Sequence, residues 1–328
     1  MSLYKLYNDI KNVYKYEKFT VNKYNGKLHK TLKNNKFFGK LDLRDYKNIY
    51  YIDIDNNKIW FITNKKRLDQ KLTNKIINRI LSFKKYSKNT YENNIYLWLT
   101  DYKKRLPLKK GEILSVENVN SGCSIIYHPM ITKNGDIEIW RKEEIYKVLI
   151  HELLHSLRYD YYLQDDELDK LVKQKFNLDS YINTNESYTE TLATILNCIY
   201  FSLENNQDYN YFLGLLANEQ NYSKNQTIKI LQHYGYHNIH DLYRKNSYKN
   251  KIFPQKTAVF SYYILKTMLL NDLKNFCKFA LDNKNKLKFP KNGNKNYYKL
   301  LIKSYNKCIF FYNDFNNNHN KSLRMTIT

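Results

Sequence analysis

Two short apolar runs, Tyr50-Tyr51-Ile52-Asp53-Ile54 and Lys58-Ile59-Trp60-Phe61-Ile62, flank the polar triplet Asp55-Asn56-Asn57 and predict a β-hairpin. Leu72, Ile76, Ile77, Ile80 and Leu81 then recur at helical spacing across 68–83, and 94–99 reads as a further strand. Weaker alternation predicts strands at 113–119 and 123–127. Between 131 and 140 the pair Asn134-Gly135 sits among extended residues, a hairpin signal because both tolerate positive φ. A helix is predicted over 142–157. Its centre, IYKVLIHELLHSL, is apolar on nearly every face, which marks a helix buried on most sides. A second long helix is predicted over 184–203, where Asn183 and Glu186 have capping-box spacing and Leu192, Ile195, Ile199 and Tyr200 form an apolar stripe. Further helices are predicted at 211–217, at 225–234 with Gly235 as a stop, and at 257–279. Residues 1–48 read as short helices and loops, and 313–328 as a frayed tail. The pattern describes an α+β chain: a small mixed sheet with an edge strand preceding a buried helix, then a mainly helical C-terminal part. It divides into an N-terminal α/β region at 1–110, a core at 111–245 and a basic helical region at 246–328.

The buried helix carries 151-HELLH-155. His151 and His155 lie one turn apart on one face. Both imidazoles can therefore reach a single zinc ion at about 2.0–2.1 Å. Glu152 is displaced sideways, where it can hydrogen-bond a water in the open position and take its proton. Two histidines and a glutamate in an apolar helix are costly to bury without such a purpose. Two imidazoles leave the metal one protein ligand short. Arg158 and Tyr161 stand where the metzincin pattern has Gly and His, which excludes that branch. In 185-NESYTETLA-193, Glu186 and Glu190 are four apart and face the same way, so one can bind the metal while the other holds a ligand imidazole. Asp160, Asp165, Asp166 and His233 are the alternatives.

These residues, 151-HELLH-155 with 186-ESYTETLA-193, resemble those of the gluzincin metallopeptidases. On the helix after the motif helix, thermolysin-like members carry Asn-Glu-x-x-x-Asp. Lethal-factor-like members carry Glu-x-aromatic-Ala-Glu-x-aromatic there. The resemblance implies a zincin-like fold and hydrolysis of peptide bonds by a zinc-activated water. It makes His151, His155 and Glu186 the zinc ligands and Glu152 the general base. Glu190 becomes the residue behind a ligand, or the alternative ligand. The chain departs from both patterns: Glu190 replaces the thermolysin-type Asp, Thr189 stands in place of Ala, and Leu192 in place of the second aromatic. The family also uses a donor to the developing oxyanion. Tyr181 stands near where lethal-factor-like enzymes carry a Tyr, and Tyr262, Tyr263, His233 and His237 are further options.

Composition adds a partner question. Lys and Arg number 55 against 31 Asp and Glu, a net charge of +24, and there are 33 Tyr. The excess of Asn, Lys, Ile and Tyr matches AT-rich codons, as in an AT-rich host, a parasite or a large DNA virus. The charge fits an acidic peptide or protein substrate, or a solvated surface. Interleaved Lys and Tyr at 296–307 also fit nucleic acid, although no nucleic-acid motif is present. The alternative function is thus a basic nucleic-acid-binding protein with an incidental or structural metal site. No GxxxxGK[ST], GxGxxG or GxSxG occurs, so nucleotide, dinucleotide and serine-hydrolase readings have no local support. The four Cys form no CxxC, and no apolar run approaches the roughly 20 residues that cross a bilayer. An intracellular, cytoplasmic protein without membrane insertion is expected, in the host cytoplasm or virion if the source is a large DNA virus.

Overall fold

The computed structural model describes residues 2–26, 28, 42–125, 135–163, 166–178, 182–243, 252–281, 287–308 and 320–328. Its sheet has six strands: β1 (Asn22–Lys23), β2 (Asn48–Ile54), β3 (Asn57–Thr63), β4 (Asn93–Trp98), β5 (Gly122–Ser124) and β6 (Gly135–Ile139). Their order is β1-β2-β3-β4-β6-β5. The predicted first hairpin forms, with Ile54 opposite Asn57. Asp55 (φ 46°) and Asn56 (φ 60°) are both left-handed, as a two-residue hairpin turn of the type I′ kind requires, and Asp and Asn accept that conformation best after Gly. β3 runs parallel to β4, and β4 parallel to β6, whereas β5 is antiparallel to β6 and is the outermost strand on that side.

Helix α1 (Leu3–Val13) and the crossover helix α2 (Gln70–Ser87) precede the short α3 (Val116–Val119), the motif helix α4 (Ile145–Ser156) and α5 (Asp166–Phe176). Then come α6 (Asn185–Glu204), α7 (Tyr209–His233), a π-helical segment (Phe260–Leu265) continuing into α8 (Lys266–Asn271), α9 (Leu273–Leu281) and α10 (Asn294–Cys308). Asp69 caps α2 by accepting from the Leu72 N–H, and Ile76, Ile77, Ile80 and Phe83 carry its buried face. Strand alternation splits the sheet's two faces. Ile59, Phe61, Ile95, Leu97, Ile137 and Ile139 enter the main core with α4 and α6, while Trp60, Ile62, Tyr96, Trp98 and Trp140 pack together on the reverse. The main core takes in side chains from Leu6 to Met325. This is the expected α+β architecture: a small mixed sheet whose edge strand precedes a buried motif helix, followed by a mainly helical remainder.

Four local expectations need correction. Residues 113–119 are not a strand: Ser115 and Asn118 bond reciprocally and start the short α3. The helices expected at 211–217 and 225–234 are one helix, α7. Its middle looks like a linker because it is polar, but Ser223 and Thr227 are buried and bonded to Thr267 and to Tyr263 O. The long helix expected over 257–279 breaks at Asp272 (φ −108°, ψ 39°), whose carboxylate accepts from Asn275 and pairs with Lys307. The end of the expected frayed tail is packed inside: Leu323, Met325 and Thr326 are buried. The Asn-Gly signal falls across the boundary of the described residues. Asn134 lies outside them, and Gly135 opens β6.

Candidate metal centre

α4 buries all but one of its residues and packs against α6, so its motif faces a second helix rather than solvent. Three ligand atoms converge between the two. His151 Nε2 lies 3.0 Å from His155 Nε2, and Glu186 Oε2 lies 3.1 Å and 3.2 Å from the same two nitrogens. Atoms bound at about 2.0–2.1 Å to one tetrahedral ion stand about 3.3 Å apart, so this triangle has the size of one face of a metal tetrahedron. The far side of each imidazole is also occupied. His155 Nδ1 is 2.7 Å from Asp160 Oδ2, and His151 Nδ1 is 2.9 Å from Glu190 Oε2. The hydrogen bond to Asp160 keeps the His155 proton on Nδ1 and leaves its Nε2 lone pair for a metal, and Glu190 lies within ion-pair distance of His151 Nδ1 on the same side. Two nitrogens and one carboxylate oxygen are a donor set that zinc accepts.

The electrostatics follow the same geometry. Burial opposes charge on His155, but Asp160 and Glu186 outweigh it and raise its pKa well above the usual imidazole value. His151 is raised in the same way, with burial overcome by the carboxylates of Glu186 and Glu190 beside its ring. Burial would push Glu186 up, yet the two imidazoles hold it below the ordinary carboxylate range.

A cleft of about 420 Å³ opens onto the cluster. Glu152 lines it, and burial raises its pKa, with the nearby imidazole charges and a hydrogen bond from Ser124 working against the rise. Gly122 lets the edge strand approach closely, since a Cβ there would sit 2.8 Å from Glu152 Oε1. Opposite stands Tyr262 in the π-helical segment, its ring centroid 6.2 Å from that of His151. Burial, reinforced by Glu186, Glu152 and Glu190, holds this phenol well above its usual pKa, so it remains an O–H donor. A wider groove of about 810 Å³ beside Lys15 and residues 84–88 has no such convergence among the described residues. Its buried amine, Lys84, is spent on Asn57 Oδ1 (3.2 Å) and Tyr91 O (2.5 Å).

The structure therefore brings together His151, Glu152, His155, Glu186 and Glu190. Tyr181 lies outside the described residues, as does Asp165. Asp160 is behind His155 and not in the ligand triangle. It returns there because Arg158 adopts a left-handed turn (φ 62°) at the end of α4. His233 bonds Glu112 O and Tyr263 bonds Leu323 O, and neither lines the cleft. Asn183, expected as a cap, has its amide 3.4 Å from Glu186 Oε1, and Thr184 occupies the cap position. Sequence reasoning missed Asn185, whose amide donates to Asp160 Oδ2 at 3.0 Å, and Lys147, which pairs with Glu190 at 2.5 Å. Lys147 had a signal: it is the lysine of an otherwise apolar helix, one turn before His151 and on the same face.

Comparisons with protein-family models, curated proteins and solved structures returned no match. The site itself carries the classification. His151-Glu152-x-x-His155 with Glu186 on a downstream helix matches the HExxH-type gluzincin arrangement. The triad and its spacing support a metal-dependent hydrolase with a glutamate as general base.

Proposed function

We propose that this chain is a zinc-dependent metallopeptidase. The observation that carries the reading is the triangle of His151 Nε2, His155 Nε2 and Glu186 Oε2, backed at both Nδ1 atoms by carboxylates, with Glu152 in the adjoining cleft. Zinc bound there would supply a polarised water of lowered pKa. Glu152, lining the cleft beside the ligand triangle, would accept the proton of the attacking water and return it to the amine that leaves as the peptide bond breaks. Tyr262 donates its O–H to the oxygen on which negative charge develops. β5, the outermost strand on that side, borders the cleft and offers an extended peptide a strand to lie along.

Tyr262→Phe removes the O–H donor together with the oxygen that accepts from the Asn120 amide at 3.4 Å. Its kcat should fall by roughly 100- to 1,000-fold, with zinc content unchanged. An unchanged kcat would place the oxyanion donor elsewhere, with Tyr181 the first position to examine.

For the substrate class we favour acidic peptides. Lys256 lines the cleft, and the chain carries a net charge of +24. No helix among the described residues is long and apolar enough to cross a membrane. No disulfide joins the four cysteines, in keeping with a reducing compartment. The nucleic-acid reading gains no support from the site. The test is one assay: hydrolysis of acidic and neutral peptides by purified protein, with and without a chelator, over a salt series. Activity lost to the chelator and restored by zinc is expected, as is a preference for acidic peptides that fades once screening shortens to about 8 Å near 0.15 M salt. Chelator-insensitive activity would refute the zinc mechanism, and equal rates on both peptides would refute the acidic preference alone.

A further inference from the structure

Behind the metal cluster lies a second layer of charge that neither the ligands nor the base explain. Glu190 turns Oε2 toward His151 Nδ1, and turns Oε1 toward two lysines, Lys147 Nζ at 2.5 Å and Lys266 Nζ at 3.6 Å. Glu190, Lys147 and Lys266 are each 1% exposed. The lysines come from different elements, α4 and α8, and meet the same stretch of the C-terminal segment. Lys266 Nζ donates to Met325 O at 2.5 Å, and Lys147 Nζ lies 3.7 Å from Met325 Sδ. That segment is pinned in turn. Glu144 accepts from the N–H groups of Met325 and Thr326 and pairs with Lys104 at 2.7 Å.

Burying an ammonium costs several kcal/mol of lost hydration unless charge and hydrogen bonds replace it. Here two ammonium groups converge on one oxygen of a single carboxylate, and that carboxylate's other oxygen faces a ligand imidazole. With Oε1 gripped from two directions, the plane and reach of the carboxylate are set. The ring of His151 is then held with Nε2 in the ligand triangle. We propose that Lys147 and Lys266, anchored on Met325, are positioning residues for the metal, and that the C-terminal segment is therefore a working part of the metal centre. This rests on the reading that His151, His155 and Glu186 hold a metal ion.

The test uses full-length Lys147→Met and Lys266→Met, each alone and combined with Glu190→Gln. Three quantities are measured: the zinc dissociation constant by competition with a chromophoric chelator, the visible absorption of the cobalt-substituted protein, and the melting temperature of the metal-free protein. Each lysine variant should weaken zinc binding by roughly 10- to 100-fold and alter the cobalt spectrum. Because the lysines act through Glu190, those losses should nearly vanish in the Glu190→Gln background. Lys84→Met, which removes a buried lysine's bonds to Asn57 Oδ1 and Tyr91 O and touches neither Glu190 nor the C-terminal segment, should bind zinc as the wild type does. Lysine variants that melt lower yet keep wild-type zinc affinity and cobalt spectrum would overturn the proposal. So would losses that add in full to that of Glu190→Gln, or an equal loss in Lys84→Met. A wild type that binds neither zinc nor cobalt would instead defeat the metal reading itself. Lys266→Met, with its ammonium farther from Glu190, carries the test alone if Lys147→Met does not fold.

Discussion

Glu152→Gln should keep its fold and its metal while peptide hydrolysis falls by roughly 100- to 10,000-fold. The substitution is isosteric, and an amide oxygen can still accept the hydrogen bond from Ser124. What it loses is the basic oxygen that takes a proton from water. Glu152 is stepped sideways on α4 from the two histidines, and nothing in the ligand triangle depends on it. Metal content measured by elemental analysis should therefore match the wild type. The pairing of the two measurements matters. Loss of activity together with loss of metal would mean that Glu152 supports the ligands. Retention of both would exclude it as the base. The edge strand makes the geometry unforgiving, because Gly122 leaves the carboxylate room on one side only by having no Cβ.

The metal centre was legible in the sequence to the extent that its residues sit on regular helices. HELLH lies in a segment apolar on nearly every face, so helical periodicity placed His151 and His155 together before any fold was known. Glu186 and Glu190 are one turn apart on the next strong helix, and the same periodicity turned both toward α4. The structure separates their surroundings: Glu186 joins the triangle and Glu190 stands behind His151. Three features were illegible for physical reasons. Asp160 reaches His155 only through a left-handed Arg158, a conformation that no helical or strand period encodes. Tyr262 is one of 33 tyrosines, and a π-helical segment, whose register differs from 3.6 residues per turn, sets its direction. The C-terminal segment has the composition of a loose end, but its backbone is bonded by buried side chains from distant parts of the chain. Glu144 binds Met325 and Thr326, Glu219 binds Ile327 N at 3.0 Å, and Gln226 binds Arg324 O at 2.7 Å. Such bonds are long-range and leave no periodic trace. The polar middle of α7 was misread for the same reason: buried polar groups that find partners look, in sequence, like exposed ones.

Glu186→Ala and Glu190→Ala should rank in opposite orders on two measurements. Removing Glu186 takes a donor atom out of the triangle and leaves only two imidazoles, so zinc affinity should fall further than for any other single change outside the histidines. Removing Glu190 takes away only the carboxylate behind His151, and loss of such a partner weakens affinity by roughly 10- to 100-fold. Stability of the metal-free protein should run the other way. Glu186 is partly open to the cleft, with its side chain 14% exposed, and its charged neighbours are histidines that can shed their protons when it is gone. Glu190 is buried between Lys147 and Lys266, and its removal leaves two buried amines without their shared carboxylate. Breaking a buried pair in this way costs about 3–5 kcal/mol, enough to lower the melting temperature by many degrees. Burial favours protonation of Glu190, but the lysines hold its pKa well below the ordinary value, so it is the ionised carboxylate that stabilises the fold. That contribution is complete above the unfolded carboxylate pKa and is lost as the pH drops through the lower folded value. The melting difference between wild type and Glu190→Ala should therefore be full at neutral pH and shrink progressively once the pH falls below the unfolded carboxylate pKa. Chelator titration and thermal melts of the metal-free variants supply both rankings. If Glu190→Ala proves the weaker zinc binder, the third ligand moves to Glu190 and Glu186 becomes the accessory carboxylate. If Glu186→Ala is the less stable metal-free protein, the lysine pair behind the site is not the load that the buried contacts describe.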